Sequence, residues 1–262
     1  MRDLASRLRS LTYFAASALP DLAGDFMMLD LSCQQGTQAA ADLFGISVER
    51  QLPGNRLFIH HQARRVPYST RFLFYGRRNT IVIDQECSYH GTMSFSADDN
   101  LVVLMGGQGE LSLDATLYSG DTLITGKGAT LWGVRVWVQG GTVCTISDGC
   151  LMSENITIRT TDHHSVIDLA TWEQINKPAD VTIGRHVWIG PSCRINKGVA
   201  IGDGAILAAD SVLTVSIPKA EFWGGAPARM IRKNISWVHS HPIADRGEIA
   251  ALRELFSSED RE

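Results

Sequence analysis

Long apolar runs, runs of like charge and an even set of cysteines are all missing from this 262-residue chain. No stretch reaches the ~18 apolar residues that a membrane span needs, so no integral membrane segment is expected. The formal net charge is −4 and no basic run interrupts it, which removes the usual electrostatic argument for a nucleic acid partner. Cys33, Cys87, Cys144, Cys150 and Cys193 are odd in number and scattered, which predicts reduced, buried thiols in a cytosolic protein. Arg2, Arg7 and Arg9 precede an apolar stretch ending near Pro20, much as in a secretory leader. Asp3 breaks that pattern, and Leu4, Leu8 and Leu11, with Phe14 or Ala15, fall at helical spacing, so an amphipathic helix over 1–18 is expected instead.

Both ordinary periodicities are missing from 183–217 as well. Every sixth residue from Ile183 is a large aliphatic: Ile183, Ile189, Ile195, Ile201, Leu207 and Leu213. The residue after each is Gly184, Gly190, Asn196, Gly202, Ala208 or Thr214, and four positions after each come Val187, Cys193, Val199, Ala205, Ser211 and Ile217. A helix repeats its apolar residues every three to four positions and a lone strand every two. A strict six with small residues between instead predicts a hexapeptide β-helix, in which each hexapeptide is one face of a prism and three faces close a coil. Stacked coils then bury a continuous aliphatic column.

Taken in order, residues 1–54 read as a helical segment that either covers the open end of the first coil or makes a subunit contact, with a short helix near Gln38 to Phe44. Residues 55–218 read as the β-helix. Its early coils are irregular, marked by Leu57-Phe58-Ile59, Ile81-Val82-Ile83, Leu101-Val102-Val103-Leu104, Leu123-Ile124 and Val143-Cys144-Thr145-Ile146. A separate sandwich domain over these runs, with Asn79-Thr80 and Asp99-Asn100 as hairpin turns, is the competing arrangement. The six-residue phase breaks after Ile158 and returns at Ile183, so residues 163–180 are expected to protrude as a loop, where function concentrates. Residues 219–262 read as a closing segment with a helix over 248–256 and a solvated tail.

The hexapeptides of 183–217, Asp162-His163-His164-Ser165, Val187-Trp188-Ile189-Gly190 and Gly225-Ala226-Pro227-Ala228 together resemble the left-handed β-helix acyltransferases. Within them the match is nearest the polysaccharide and capsule O-acetyltransferase branch, related to the galactoside and maltose acetyltransferases. The resemblance implies an all-β chain, a left-handed parallel β-helix with short flanking α-helices, assembled as a homotrimer. It implies acetyl-CoA as donor, a carbohydrate hydroxyl as acceptor and no metal. The family's Asp-x-His element places the general base at His164, with Asp162 as the residue that orients it or caps the turn. An imidazole of pKa ~6.5 is neutral near pH 7 and suits that task. The Val-Trp-(Ile/Leu)-Gly element places Trp188 beside the thioester, and the galactoside-type pattern places Ala209, Thr214, Arg229 and Arg232 on CoA. Val215, Pro191, Ala208 and Asp210 depart from that pattern. His163 and Trp172, which begin and line the 163–180 loop, are the acceptor-side candidates.

Three other functions fit the solenoid. The acceptor of an acetyltransferase can be serine or an amino sugar. A γ-type carbonic anhydrase needs three histidines spaced on adjacent coils, and adjacent His163-His164 with distant His186 do not supply them. A platform without chemistry would have no use for the histidine loop and Trp188. Dependence on acetyl-CoA implies a cytoplasmic protein, near the inner membrane face if the acceptor is a lipid-linked glycan.

Overall fold

The six-residue period becomes three flat faces wound into a parallel β-helix. The computed structural model describes residues 2–11, 24–63, 70–107 and 109–257. Ile183, Ile189, Ile195, Ile201, Leu207 and Leu213 all point to the axis and are buried, as are Val187, Cys193, Val199, Ala205, Ser211 and Ile217 at the corners.

One face is an eight-stranded sheet. In it Arg56–His60, Thr80–Ile83, Leu101–Leu104, Thr122–Thr125, Val143–Ile146, Val181–Ile183 and Ala200–Ile201 pair in parallel, coil to coil. This register stacks Ile59, Ile83, Leu104, Thr125, Ile146, Ile183 and Ile201 in one interior column. The early irregular coils therefore share their sheets with the strict hexads, and the described residues hold no separate sandwich. The other two faces share a second sheet. Its long strands Glu110–Leu117 and Thr130–Val138 turn the corner between the faces, the latter through a bulge at Gly133, whose φ of +88° suits glycine. Beyond them the faces separate into Leu151–Met152 and Ile156–Arg159, then Trp188–Ile189 and Arg194–Ile195.

A polar ladder lines one corner, unannounced by the apolar pattern. The backbone N–H of Asn79 donates to Asn55 Oδ1, that of Asn100 to Asn79 Oδ1, and that of Asp121 to Asn100 Oδ1, at 2.9, 3.0 and 2.9 Å. All four side chains are fully buried. Asn79 and Asn100 thus hold a corner inside the solenoid, where buried amides are tolerated because every polar group finds a partner.

The helix Arg2–Arg9 covers no coil end. Leu8 packs on the outer surface of the first face, against Phe58, Val82, Val103 and Ile124. That sheet is apolar on both sides, and its strands accordingly read as unbroken hydrophobic runs. The helix expected over 1–18 stops at Arg9, where Ser10 and Leu11 turn the chain, and residues 12–18 lie outside the described residues. The first coil is closed by Phe26–Asp30, antiparallel to Arg56–His60, and by the helix Gln34–Phe44, which buries Gly36, Ala40 and Phe44. Parallel pairing on the second sheet already begins at Ile46–Glu49. At the far end Glu221–Gly224 stacks on Ile206–Leu207, and Arg229–Lys233 returns antiparallel along it. The terminal helix runs Arg246–Ser257, and residues 258–262 of the expected tail lie outside the described residues. All five cysteines are free; Cys33 is exposed, contrary to expectation, because it sits in the surface turn before Gln34–Phe44.

Candidate active site

The 163–180 segment leaves the solenoid at the corner between the third face, which carries Arg194–Ile195, and the first. There the Asn176 side chain does three things. Its Nδ2 donates to Asp162 Oδ2 and to the His164 carbonyl, both at 2.8 Å, and its Oδ1 accepts the Val166 N–H at 2.7 Å. Lys197, one coil further on, donates Nζ to the same Asp162 oxygen at 2.5 Å and to the Asn176 carbonyl at 2.9 Å. The Lys197 ammonium, aided by the Asn176 amide and opposed by partial burial, holds the Asp162 carboxyl below the usual range. The backbone of His164 is therefore clamped while its side chain is exposed. Among the described residues no hydrogen bond joins Asp162 to either imidazole; it ties the loop to the next coil.

His163 points the other way. It adopts φ +64° and turns its ring toward Tyr118 and Trp137, with centroids 5.8 and 6.1 Å away. Burial, then the nearby Arg159 and His164, lower its pKa, while Asp162 opposes them. Beyond the histidines the loop is a hairpin closed by Asp168 N–H to the Glu173 carbonyl at 2.9 Å and Ile175 N–H to the Val166 carbonyl at 3.0 Å. Trp172 stands at its tip, 76% exposed; its backbone N–H donates to the Asp168 carbonyl at 2.8 Å, and its ring makes no aromatic contact among the described residues.

The other candidates lie on different edges of the prism. Trp188 points outward between buried Val187 and Ile189 and is 41% exposed. It follows the corner between the first and second faces, its ring 6.0 Å from that of Trp237, which stacks on His186 at 4.3 Å. Ala209 is exposed at the corner between the second and third faces, and Thr214 at the corner shared with Lys197. Arg229 and Arg232 are exposed on the last strand. Within one chain the structure brings Asp162, His163, His164 and Thr214 to one edge and leaves Trp188 and Ala209 on the other two. Sequence reasoning missed Asn176, Lys197 and Trp237. Lys197 had a usable signal, since it occupies the turn one coil after the histidine loop; Asn176 had none.

His186 lies deeper than its sequence suggests, its Nε2 2.8 Å from the Trp237 carbonyl. Burial, with His239 adding to it, lowers its pKa below 6.5; the Trp237 carbonyl and Glu248 oppose the shift. The unfolded chain then takes up a proton, as the pH falls through 6.5, that the folded chain resists, so stability is expected to decline from that point downward. Urea unfolding at about pH 7.5 and about pH 5.5 checks this. His186→Gln should flatten the difference; an unchanged slope would remove His186 as its source.

Residues 180–214 match the bacterial transferase hexapeptide model, of six repeats. That match covers the strict hexads alone, and it is a likeness in repeat and fold to hexapeptide-repeat transferases. Particular relatives narrow the comparison. A polysialic acid O-acetyltransferase of Escherichia coli O1:K1 / APEC is 28% identical over 145 residues, which is 55% of this chain and 46% of that protein. Galactoside O-acetyltransferase of Escherichia coli (strain K12) is 39% identical over 90 residues, 34% of this chain and 43% of that protein. The matches thus span less than half the length of either curated relative. Among solved structures, the polySia specific acetyltransferase NeuO superposes with a TM-score of 0.72 at 24% identity, over 80% of this chain and 98% of that one. The fold is accordingly the left-handed parallel β-helix that the sequence resemblance implied.

Proposed function

We propose that this protein transfers an acetyl group from acetyl-CoA to a sugar hydroxyl, in a surface polysaccharide or its precursor, with His164 as general base. The observation that carries the reading is the clamped His164 backbone with its side chain left exposed where the loop leaves the coil. In this reaction the neutral imidazole takes the hydroxyl proton as the oxygen attacks the thioester carbonyl. The tetrahedral intermediate then expels the thiolate, which recovers the proton from the imidazolium. The polysialic acid and galactoside O-acetyltransferase relatives support a sugar acceptor. On this reading Trp188 lies by the thioester, Ala209, Thr214, Arg229 and Arg232 contact CoA, and Trp172 faces the acceptor.

A homotrimer accords with the same geometry. His164 and Thr214 sit on one edge, Trp188 on another and Ala209 on the third, so only copies set side by side bring these groups together. Sedimentation that gave a monomer under turnover conditions would overturn this. The donor implies work in the cytoplasm, near the inner membrane face for a lipid-linked acceptor. No helix among the described residues is long and apolar enough to cross a membrane.

The direct test is thiol release from acetyl-CoA with a panel of sugars, oligosaccharides, amino sugars and serine, with mass detection of the product. Acceptor-dependent release with an O-acetylated sugar supports the reading. Failure to bind CoA would return the protein to a platform role. Lys197→Met should lower transfer by roughly ten- to a hundredfold through kcat with the CoA affinity kept, because it loosens the His164 clamp. Unchanged kcat would show that the Asp162 tie does not position the base.

A further inference from the structure

Two arginines beside the histidine corner make no ion pair among the described residues. Strands Thr130–Val138 and Ile156–Arg159 pair so that Arg135 lies opposite Thr157 and Trp137 opposite Arg159. Val134, Val136, Val138, Ile156 and Ile158 fill the interior, and alternation turns Arg135, Trp137 and Arg159 outward. The Arg159 guanidinium lies 4.4 Å from the Trp137 ring centroid, and that of Arg135 lies 5.7 Å away. His163 meets the same indole edge-on, at 89°, and Tyr118 flanks the histidine. Elsewhere on the solenoid Arg71 pairs with Glu49, Arg78 with Asp98 and Asp99, and Arg185 with Asp203, whereas exposed Arg50, Arg56 and Arg77 have no ion pair among the described residues; what sets this corner apart is that two guanidinium groups share one indole. Arg194, the next step along this face opposite Thr157, is likewise without an ion pair. Asp114 stands opposite Arg135 on the preceding strand, so Arg135, Arg159 and Arg194 face one carboxylate, and the strip is net positive in a chain of net charge −4.

We propose that this strip, with Arg135, Arg159 and Trp137 at its centre, binds the acidic groups and sugar rings of an anionic glycan. The inference rests on the acyl-transfer reading and names its acceptor class. A guanidinium laid on an indole is oriented by the stacking, and its N–H fork faces outward to take a carboxylate or phosphate through two parallel bonds. The remaining indole and phenol surface suits the apolar face of a pyranose. Because His163 touches this aromatic group and His164 follows it in the chain, a glycan lying along the strip would run toward the exposed imidazole. Carboxylate-bearing and phosphodiester-linked glycans share the recognised chemistry, and binding separates them.

The test uses the full chain and calorimetric titration with three probes: an oligosaccharide of a carboxylate-bearing sugar, its carboxyl-reduced neutral counterpart, and a phosphodiester-linked oligosaccharide. Binding of one anionic probe, weakening with salt and absent for the neutral counterpart, is expected. Arg135→Gln and Arg159→Gln should each weaken it by roughly tenfold or more. Arg159→Lys should recover only part, because the charge returns without the fork. Trp137→Leu should weaken the anionic probe with both arginines in place. Thermal melting of each variant separates lost binding from lost folding. The proposal is overturned if no anionic probe binds, if the neutral sugar binds equally, or if the glutamine variants bind like wild type. It is also overturned if a single-stranded oligonucleotide binds more tightly than any glycan, or if the variants change the sedimenting mass, which would make the strip a subunit contact. Glycan binding without thiol release would leave the strip standing and remove the transfer reading. Acetylation of neutral sugars, unaffected by the arginine changes, would do the reverse.

Discussion

His164→Ala is expected to lower acceptor-dependent acetyl transfer by roughly 10²–10⁴-fold while leaving the melting temperature unchanged. The size of the loss follows from what the residue would do, since a positioned base is worth that much and no other imidazole shares its place. His163, its neighbour, is turned into the aromatic cluster by its left-handed backbone and packs on Tyr118 and Trp137. The stability should not move because the His164 side chain is exposed and the Asn176 bond is to its main-chain carbonyl, which alanine retains. Steady-state thiol release with the acceptor found by the panel gives the answer. A His164→Ala enzyme within a few-fold of wild type would move the base elsewhere, and a parallel His163→Ala measurement would say whether it moves next door.

Asn100→Ala is expected to cost about 3–5 kcal/mol of stability, more than most single changes on the surface of the solenoid. The Asn100 amide donates to Asn79 Oδ1 at 2.8 Å and to the Ala97 and Tyr118 carbonyls at 3.0 Å each. Its Oδ1 accepts the Asp121 N–H at 2.9 Å. Alanine would leave the Ala97 and Tyr118 carbonyls and the Asp121 N–H without this partner, while Asn79 Oδ1 keeps the Asn100 backbone N–H, and each orphaned group costs about 1–3 kcal/mol. The ladder also runs through neighbouring coils, so the loss falls on a junction that several repeats share. Urea unfolding measures it directly. A loss under about 1 kcal/mol would mean that water replaces the amide and that the ladder contributes little.

The strict hexads were legible because their six-residue phase has no competing explanation, and Ile183 to Leu213 occupy the interior as that phase requires. The earlier strands were legible too, since each apolar run from Leu57 to Ile146 became one strand of a single face. What the pattern concealed was polar. Asn55, Asn79, Asn100 and Asp121 stand 24, 21 and 21 residues apart. Each precedes an apolar run by one or two residues, yet a buried asparagine becomes acceptable only once the next coil supplies its partner. The same holds for the corner around His164: the Asp162-His163-His164 element is visible in the chain, but its clamp joins residues 14 and 35 positions away through Asn176 and Lys197. The outer helix left a trace that is clear only afterward, in first-face strands apolar on both sides.

The two antiparallel strands at the ends of the solenoid set its length. A parallel ladder has no intrinsic stop, because the last coil offers the next molecule the same row of backbone donors and acceptors that it received from the coil before. Phe26–Asp30 and Arg229–Lys233 reverse direction at the two ends, so a second copy arriving there meets a row of mismatched polarity. Arg229, Arg232 and Lys233 add like charge along the outermost strand, which discourages a twin strand from docking. End-to-end fibre growth is thus resisted by the two outermost strands of the solenoid.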